Sequence, residues 1–200
     1  MHDLPGLIKS VGYLGVWGII FAESGLFIGF FLPGDSLLFT AGFVASQGFL
    51  NIWVLIFGSF VCAVLGDNVG YATGYKFGRR LFEREDSWLF QQKNLVKTQE
   101  FYEKHGKQAL VLARFTPIIR TFTPIVAGIG AMQYRSFMIY NLIGGLSWTF
   151  SLAFLGFFLG KKLPAELVDK YFVLIVGVII VVSLIPSIWH LLQEKMAKKG

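Results

Sequence analysis

The chain has 200 residues, 54% of them hydrophobic and 16% aromatic, with only 15% charged and a net charge of +6. Soluble domains carry about 25% charged residues, and here the charge is clumped between long uncharged runs, which excludes an ordinary soluble domain and marks membrane segments. The basic residues gather mainly in one loop and the C-terminal tail, a pattern that the positive-inside bias explains without a nucleic-acid partner.

Residues 1–10 are short and mixed, and are placed at an interface. They lack a basic n-region and a cleavage site, so no removable signal peptide is expected. Residues 11–32 are apolar apart from Glu23 and long enough to span, since about 20 residues cross the hydrocarbon core. Pro33-Gly34 then breaks the helix, because proline cannot donate its backbone hydrogen bond and glycine permits a sharp turn. Asp35-Ser36 reads as an N-cap opening a second helix through residues 37–45. That piece is too short to cross, so a re-entrant hairpin is expected, its broken backbone buried in protein or beside a wet cavity.

Residues 52–74 form the next apolar run, with Asp67 in its latter part, and Cys62, the lone cysteine, excludes an internal disulfide. Residues 76–107 are polar and net basic, and their scattered Leu, Phe and Trp suggest a cytoplasmic, interfacial amphipathic loop. Residues 109–132 are apolar again, interrupted by Pro117 and Pro124 and carrying Arg114 and Arg120. They are read as a second re-entrant segment. Residues 136–160, with Asn141 and Trp148, and residues 171–192 are spans, and the tail is basic. The basic loop and tail place the C-terminus in the cytoplasm, with Arg135 on the same side and Lys161-Lys162 opposite. The expected fold is one all-α polytopic membrane domain over residues 1–200. It holds two opposed re-entrant hairpins and about three to four spanning helices. A short echo between TAGFVA at 40–45 and VAGIGA at 126–131 suggests an inverted repeat.

A charged side chain at bilayer depth costs about 2.5–3.5 kcal/mol on insertion scales, so Glu23 and Asp35 need a reason. One reason is proton coupling, since burial favours the neutral acid and a nearby arginine favours the charged one. For Asp35 the alternative is helix capping. Arg114 and Arg120, on either side of a turn, suit a phosphate monoester, which arginine grips with two prongs. Their alternative is snorkelling to headgroups. Asp67 is an accessory candidate or an interfacial residue. Asn141 is also an accessory candidate but reads foremost as a hydrogen bond across helices, and Trp148 reads foremost as a packing or interfacial-belt residue. The histidines are His2 at the terminus, His105 in the loop and His190 at the end of the last span, none of them mid-membrane, and no HExxH or CxxC spacing occurs. No metal site, cofactor or enzyme activity is expected. The residues alone point to an anionic-lipid or ion transporter.

Glu23-Ser24-Gly25, Pro33-Gly34-Asp35-Ser36-Leu37-Leu38, Gly66-Asp67, FYEKHG, ARFTPIIRTFTPIVAG and the Asn141, Gly145, Trp148 pattern together resemble the bacterial DedA family, within the wider VTT (SNARE-associated) membrane proteins. The resemblance implies an inner-membrane protein with two facing re-entrant segments that moves phospholipid-like substrates. It implies undecaprenyl phosphate as the leading substrate, with phosphatidylethanolamine as the alternative. It also implies a link to proton-motive force and functional roles for Glu23, Asp35, Arg114 and Arg120. The rival readings are a proton-coupled small-ion transporter and a membrane assembly factor docking through residues 76–107. The expected partners are a lipid, the membrane and a second copy of the chain.

Overall fold

Uninterrupted apolar runs bounded by proline and glycine form helices, and no strand occurs among the described residues. The computed structural model describes residues 4–25, 34–77 and 103–163, with single positions at 96, 98, 100, 174 and 178. Helix α1 is Leu4–Gly25, α2 is Gly34–Ser46, α3 is Ile52–Phe77, α4 is Ala109–Leu112, α5 is Pro117–Ile129 and α6 is Tyr134–Lys162. One 3-10 turn, Gly106–Gln108, precedes α4 and another, Ala113–Phe115, follows it. Pro33, most of the 76–107 loop, all but residues 174 and 178 of the expected span at 171–192, and the basic tail lie outside the described residues.

Helices α3 and α6 are long and apolar enough to cross a membrane, at 26 and 29 residues. At 1.5 Å per residue they measure about 39 and 43 Å, beyond the roughly 30 Å hydrocarbon core. Their outward faces carry exposed Trp53, Phe57, Leu65, Leu146, Phe150 and Leu155, as hydrocarbon contact requires. The two run antiparallel. At one end Tyr134 packs on Tyr71 at 5.7 Å and donates its hydroxyl proton to Asn68 Oδ1 at 2.9 Å. At the other, Trp53 meets Phe154 edge-on at 5.5 Å. Lys76 marks the first end and Lys161 the second.

Two sets of shorter helices pack on this pair as a frame, α1 with α2 and α4 with α5. Helix α1 starts from the Lys161 end, where the Asn51 N–H donates to Tyr13 Oη at 2.6 Å. Its last turn reaches the middle of α3, with Gly25 against Gly66. Helix α2 begins at the same depth, with Asp35 beside Trp148, the midpoint of α6. It returns along α6 to the Lys161 end, where Gln47 Nε2 donates to the Gly160 carbonyl at 3.3 Å. The second set mirrors the first. Helix α4 leaves the Lys76 end, with Leu110 in one apolar cluster with Tyr71 and Phe137. The following 3-10 turn brings Arg114 to mid-depth. Thr116 is then extended, at φ −122° and ψ 107°, because the ring of Pro117 disfavours a helical conformation before it. Helix α5 returns along α3 to the Lys76 end. Helices α2 and α5 each have 13 residues, and both start near the centre and run to opposite ends.

The echoed glycines serve the same purpose in both. A Cβ on Gly42 would lie 2.1 Å from the Ala153 carbonyl oxygen, and one on Gly128 would lie 2.2 Å from that of Tyr71. Each short helix can approach its long neighbour only through a position without a side chain. Pro124 departs from expectation: it does not break its segment but sits inside α5, which continues to Ile129. Its ring has room because it faces Gly70, and the neighbouring Thr123 hydroxyl bonds the Ile119 carbonyl at 2.7 Å. Packed membrane helices tolerate proline through such adjustments.

Candidate functional site

The polar groups where the shorter helices meet the frame form two layers. In the first, Arg120, in the opening turns of α5, donates from Nη1 to Asp35 Oδ1 at 2.5 Å and from Nη2 to Glu23 Oε1. Trp148 donates its indole N–H to the same Asp35 oxygen at 2.8 Å, and its ring lies 5.2 Å from the guanidinium carbon. One positive charge thus faces two negative ones, with an aromatic face beside it. Glu23 is 2% exposed, whereas the Asp35 side chain is 42% exposed.

Glu23 also closes the start of α2. Its Oε1 accepts the Gly34 N–H at 3.2 Å, and its Oε2 has no partner among the described residues. A Cβ at position 34 would lie 1.6 Å from Oε2, so only glycine lets the carboxylate sit there. The expected capping role of Asp35 therefore passes to Glu23, eleven residues upstream of the Gly34 N–H that it accepts. Asp35 instead lies in the first turn of α2 and turns its carboxylate to Arg120. At α5, Thr116 makes no side-chain cap. Two helix N-termini, each carrying roughly half a positive charge, thus converge on this layer.

The second layer is built on Arg114. Its Nη2 donates to Asp67 Oδ2 and to Asn141 Oδ1, the latter at 2.6 Å. Asn141 in turn donates to the Val64 carbonyl at 3.3 Å. The Arg114 and Asp67 side chains are 7% and 8% exposed. This layer ties the 3-10 turn to α3 and α6. Arg114 lies against Gly144 and Arg120 against Trp148, one turn apart on α6, so the layers are stacked about 6 Å apart.

Of the residues singled out in the sequence, Glu23, Asp35 and Arg120 meet directly. Arg114 does not share their layer, and the two arginines make separate pairings. Asp67 is the partner of Arg114 rather than an interfacial residue, and Asn141 makes the hydrogen bonds across helices expected of it, to Arg114 and to Val64. Trp148, read as packing, proves to be in the first layer. The signal was its indole N–H, which must find a partner when buried. No group of histidines, cysteines and carboxylates that could hold a metal occurs among the described residues.

Residues 32–158 match the VTT domain family. The chain is 44% identical to Protein DedA of Escherichia coli K12 over 205 residues, covering 98% of this chain and 92% of that relative. It is 37% identical to the uncharacterized membrane protein Rv0364 of Mycobacterium tuberculosis H37Rv, covering 92% and 80%. It is 31% identical to the inner membrane protein YqjA of Escherichia coli K12, covering 98% and 90%. No solved structure matches it. With a domain match over more than half its length and relatives aligned almost end to end, the chain belongs to the DedA family of VTT-domain membrane proteins.

Proposed function

We propose that the protein is a proton-coupled lipid transporter of the bacterial inner membrane, not an enzyme, and that its substrate is a lipid phosphate, undecaprenyl phosphate first. The observation that carries this reading is Arg120, held between Glu23 and Asp35 where two helix N-termini converge, with Asp35 partly open. Each carboxylate occupies a direction from which a phosphate could approach the guanidinium. A proton taken up by Asp35 weakens its hold on Nη1, and a phosphate monoester can then bind Arg120 in its place. Loss of that proton restores the carboxylate and expels the anion. The prenyl chain stays in the bilayer beside the exposed apolar faces, so no large apolar pocket is needed.

The hairpins then dip into the membrane from opposite faces, and the anion site lies near the midplane, where broken helices of transporters bind their substrates. Lys76 and Arg135 lie exposed at one end of the frame, which the positive-inside bias makes the cytoplasmic one. Cation transport is disfavoured because Arg120 would repel the cargo. The deciding experiment is flipping of labelled undecaprenyl phosphate in vesicles, with Arg120→Ala and Glu23→Gln. Both variants should be inactive at normal folded yield. Wild-type rates in both would reject the assignment, and activity on phosphatidylethanolamine alone would redirect it to a general phospholipid translocase.

A further inference from the structure

We infer that Trp148 is a positioning residue that sets the pH at which Asp35 releases Arg120. The inference rests on the proposed role of Asp35 as the proton-carrying group. Trp148 is 3% exposed at the midpoint of α6, packed in the cluster that holds Ile20, Leu38 and Ala153. A packing residue needs only its ring. Here the N–H is also used, donated to the oxygen that faces Arg120, while the ring lies beside the guanidinium. One side chain therefore touches both members of the ion pair that must separate.

An N–H donated to a carboxylate favours its charged form, because the protonated acid is the poorer acceptor. A ring face beside a guanidinium favours a cation in that place. Trp148 thus keeps Asp35 ionised and aligned until the pH falls far enough. When the proton arrives, Asp35 Oδ1 loses its charge, its bonds to the indole and to Nη1 weaken, and Arg120 stays beside the ring with one direction free. Among the described residues, the charged groups around Asp35 are Arg120 from α5 and Glu23 from α1. Asp67 from α3 and Arg114 from the 3-10 turn lie in the next layer. The charged residues of α6 itself, Arg135, Lys161 and Lys162, lie toward its ends.

The test titrates Asp35 in purified full-length protein by infrared difference spectroscopy, with Asp35→Asn identifying its carboxyl band. Trp148→Phe keeps a ring and removes the N–H. The Asp35 band should then titrate about one to two pH units higher, the equivalent of one hydrogen bond to a charged group. An unmoved titration would overturn the inference. A second measurement needs no change at position 148. In protein labelled with 5-fluorotryptophan, one of the five tryptophan fluorine signals should titrate, and Asp35→Asn should abolish that titration. A titration that survives Asp35→Asn, or none in the wild type, also overturns it. Neither readout involves lipid. Failure of the flipping assay with a shifted titration removes the transport reading and keeps Trp148 as the group that sets Asp35. Normal flipping with an unmoved titration does the reverse.

Discussion

Arg114 and Arg120 stand within the same stretch ARFTPIIR, yet their surroundings differ in kind. Arg114 lies in a closed layer: its carboxylate partner is buried, its amide partner is buried, and that amide is bonded in turn to α3. Arg120 lies in an open layer: it meets two carboxylates, one deeply buried and one partly exposed, beside an aromatic face. A closed pairing of this kind resists change, because removing one partner strands a charge away from water. An open pairing with a surplus carboxylate can exchange partners. The Arg114 layer suits support and the Arg120 layer suits cargo, although both use one arginine and both were drawn from the same sequence signal.

The comparison is broken most directly at Arg114. Arg114→Ala leaves Asp67 buried without its counter-charge, and the fold should lose about 3–5 kcal/mol. Thermal unfolding in detergent reads this as a large drop in melting temperature and in folded yield. Arg120→Ala should act differently. Asp35 can turn to water and Glu23, though buried, keeps the Gly34 N–H as a partner, so stability should fall less than at 114, while flipping falls on the order of a hundredfold or more, as expected for truncating a buried charge contact to a ligand. Arg120→Lys should recover only part of the rate, since an ammonium cannot make the two-pronged contact. Equal stability losses at 114 and 120 would show that the layers are not distinct.

The next effect tests the frame that sets both layers at mid-depth. Gly42→Ala and Gly128→Ala each push a short helix off its long neighbour, because the nearest atoms are backbone carbonyl oxygens that cannot move aside. Each should cost about 1–3 kcal/mol, the usual range for overpacking, read by thermal unfolding. Similar losses in the two would support a common design for the two sets of shorter helices. A loss confined to one would show that the echo between their sequences has no shared structural role.

The long helices were legible because hydropathy over twenty residues depends on little else. The starts of α2 and α5 were legible because proline and glycine act locally. Pro124 misled for the opposite reason: whether proline breaks a helix depended on Gly70, far away in sequence. Asp35 misled because local capping preference competed with Arg120 and Trp148, both more than eighty residues distant, while Glu23 was available to cap instead. That Glu23 and Arg120 belong to the site could be read from charge in an apolar run. That Arg114 pairs separately could not, because the extended Thr116 lies between the arginines and sends them to different layers.

The smallest expected effect is also the sharpest test of the division. Asn141 belongs to the closed layer but carries no charge. Asn141→Ala removes one acceptor from Arg114 while Asp67 remains, so stability should fall by about 1.5 kcal/mol, the low end for a hydrogen bond to a charged group. If this layer only supports, flipping per folded molecule should stay at the wild-type rate once unfolded protein is discounted. Thermal unfolding and vesicle flipping on the same preparation separate the two quantities. A variant that keeps its stability but flips slowly would place Arg114 and its partners on the path of the phosphate, and the stacked layers would then be successive stations of one route.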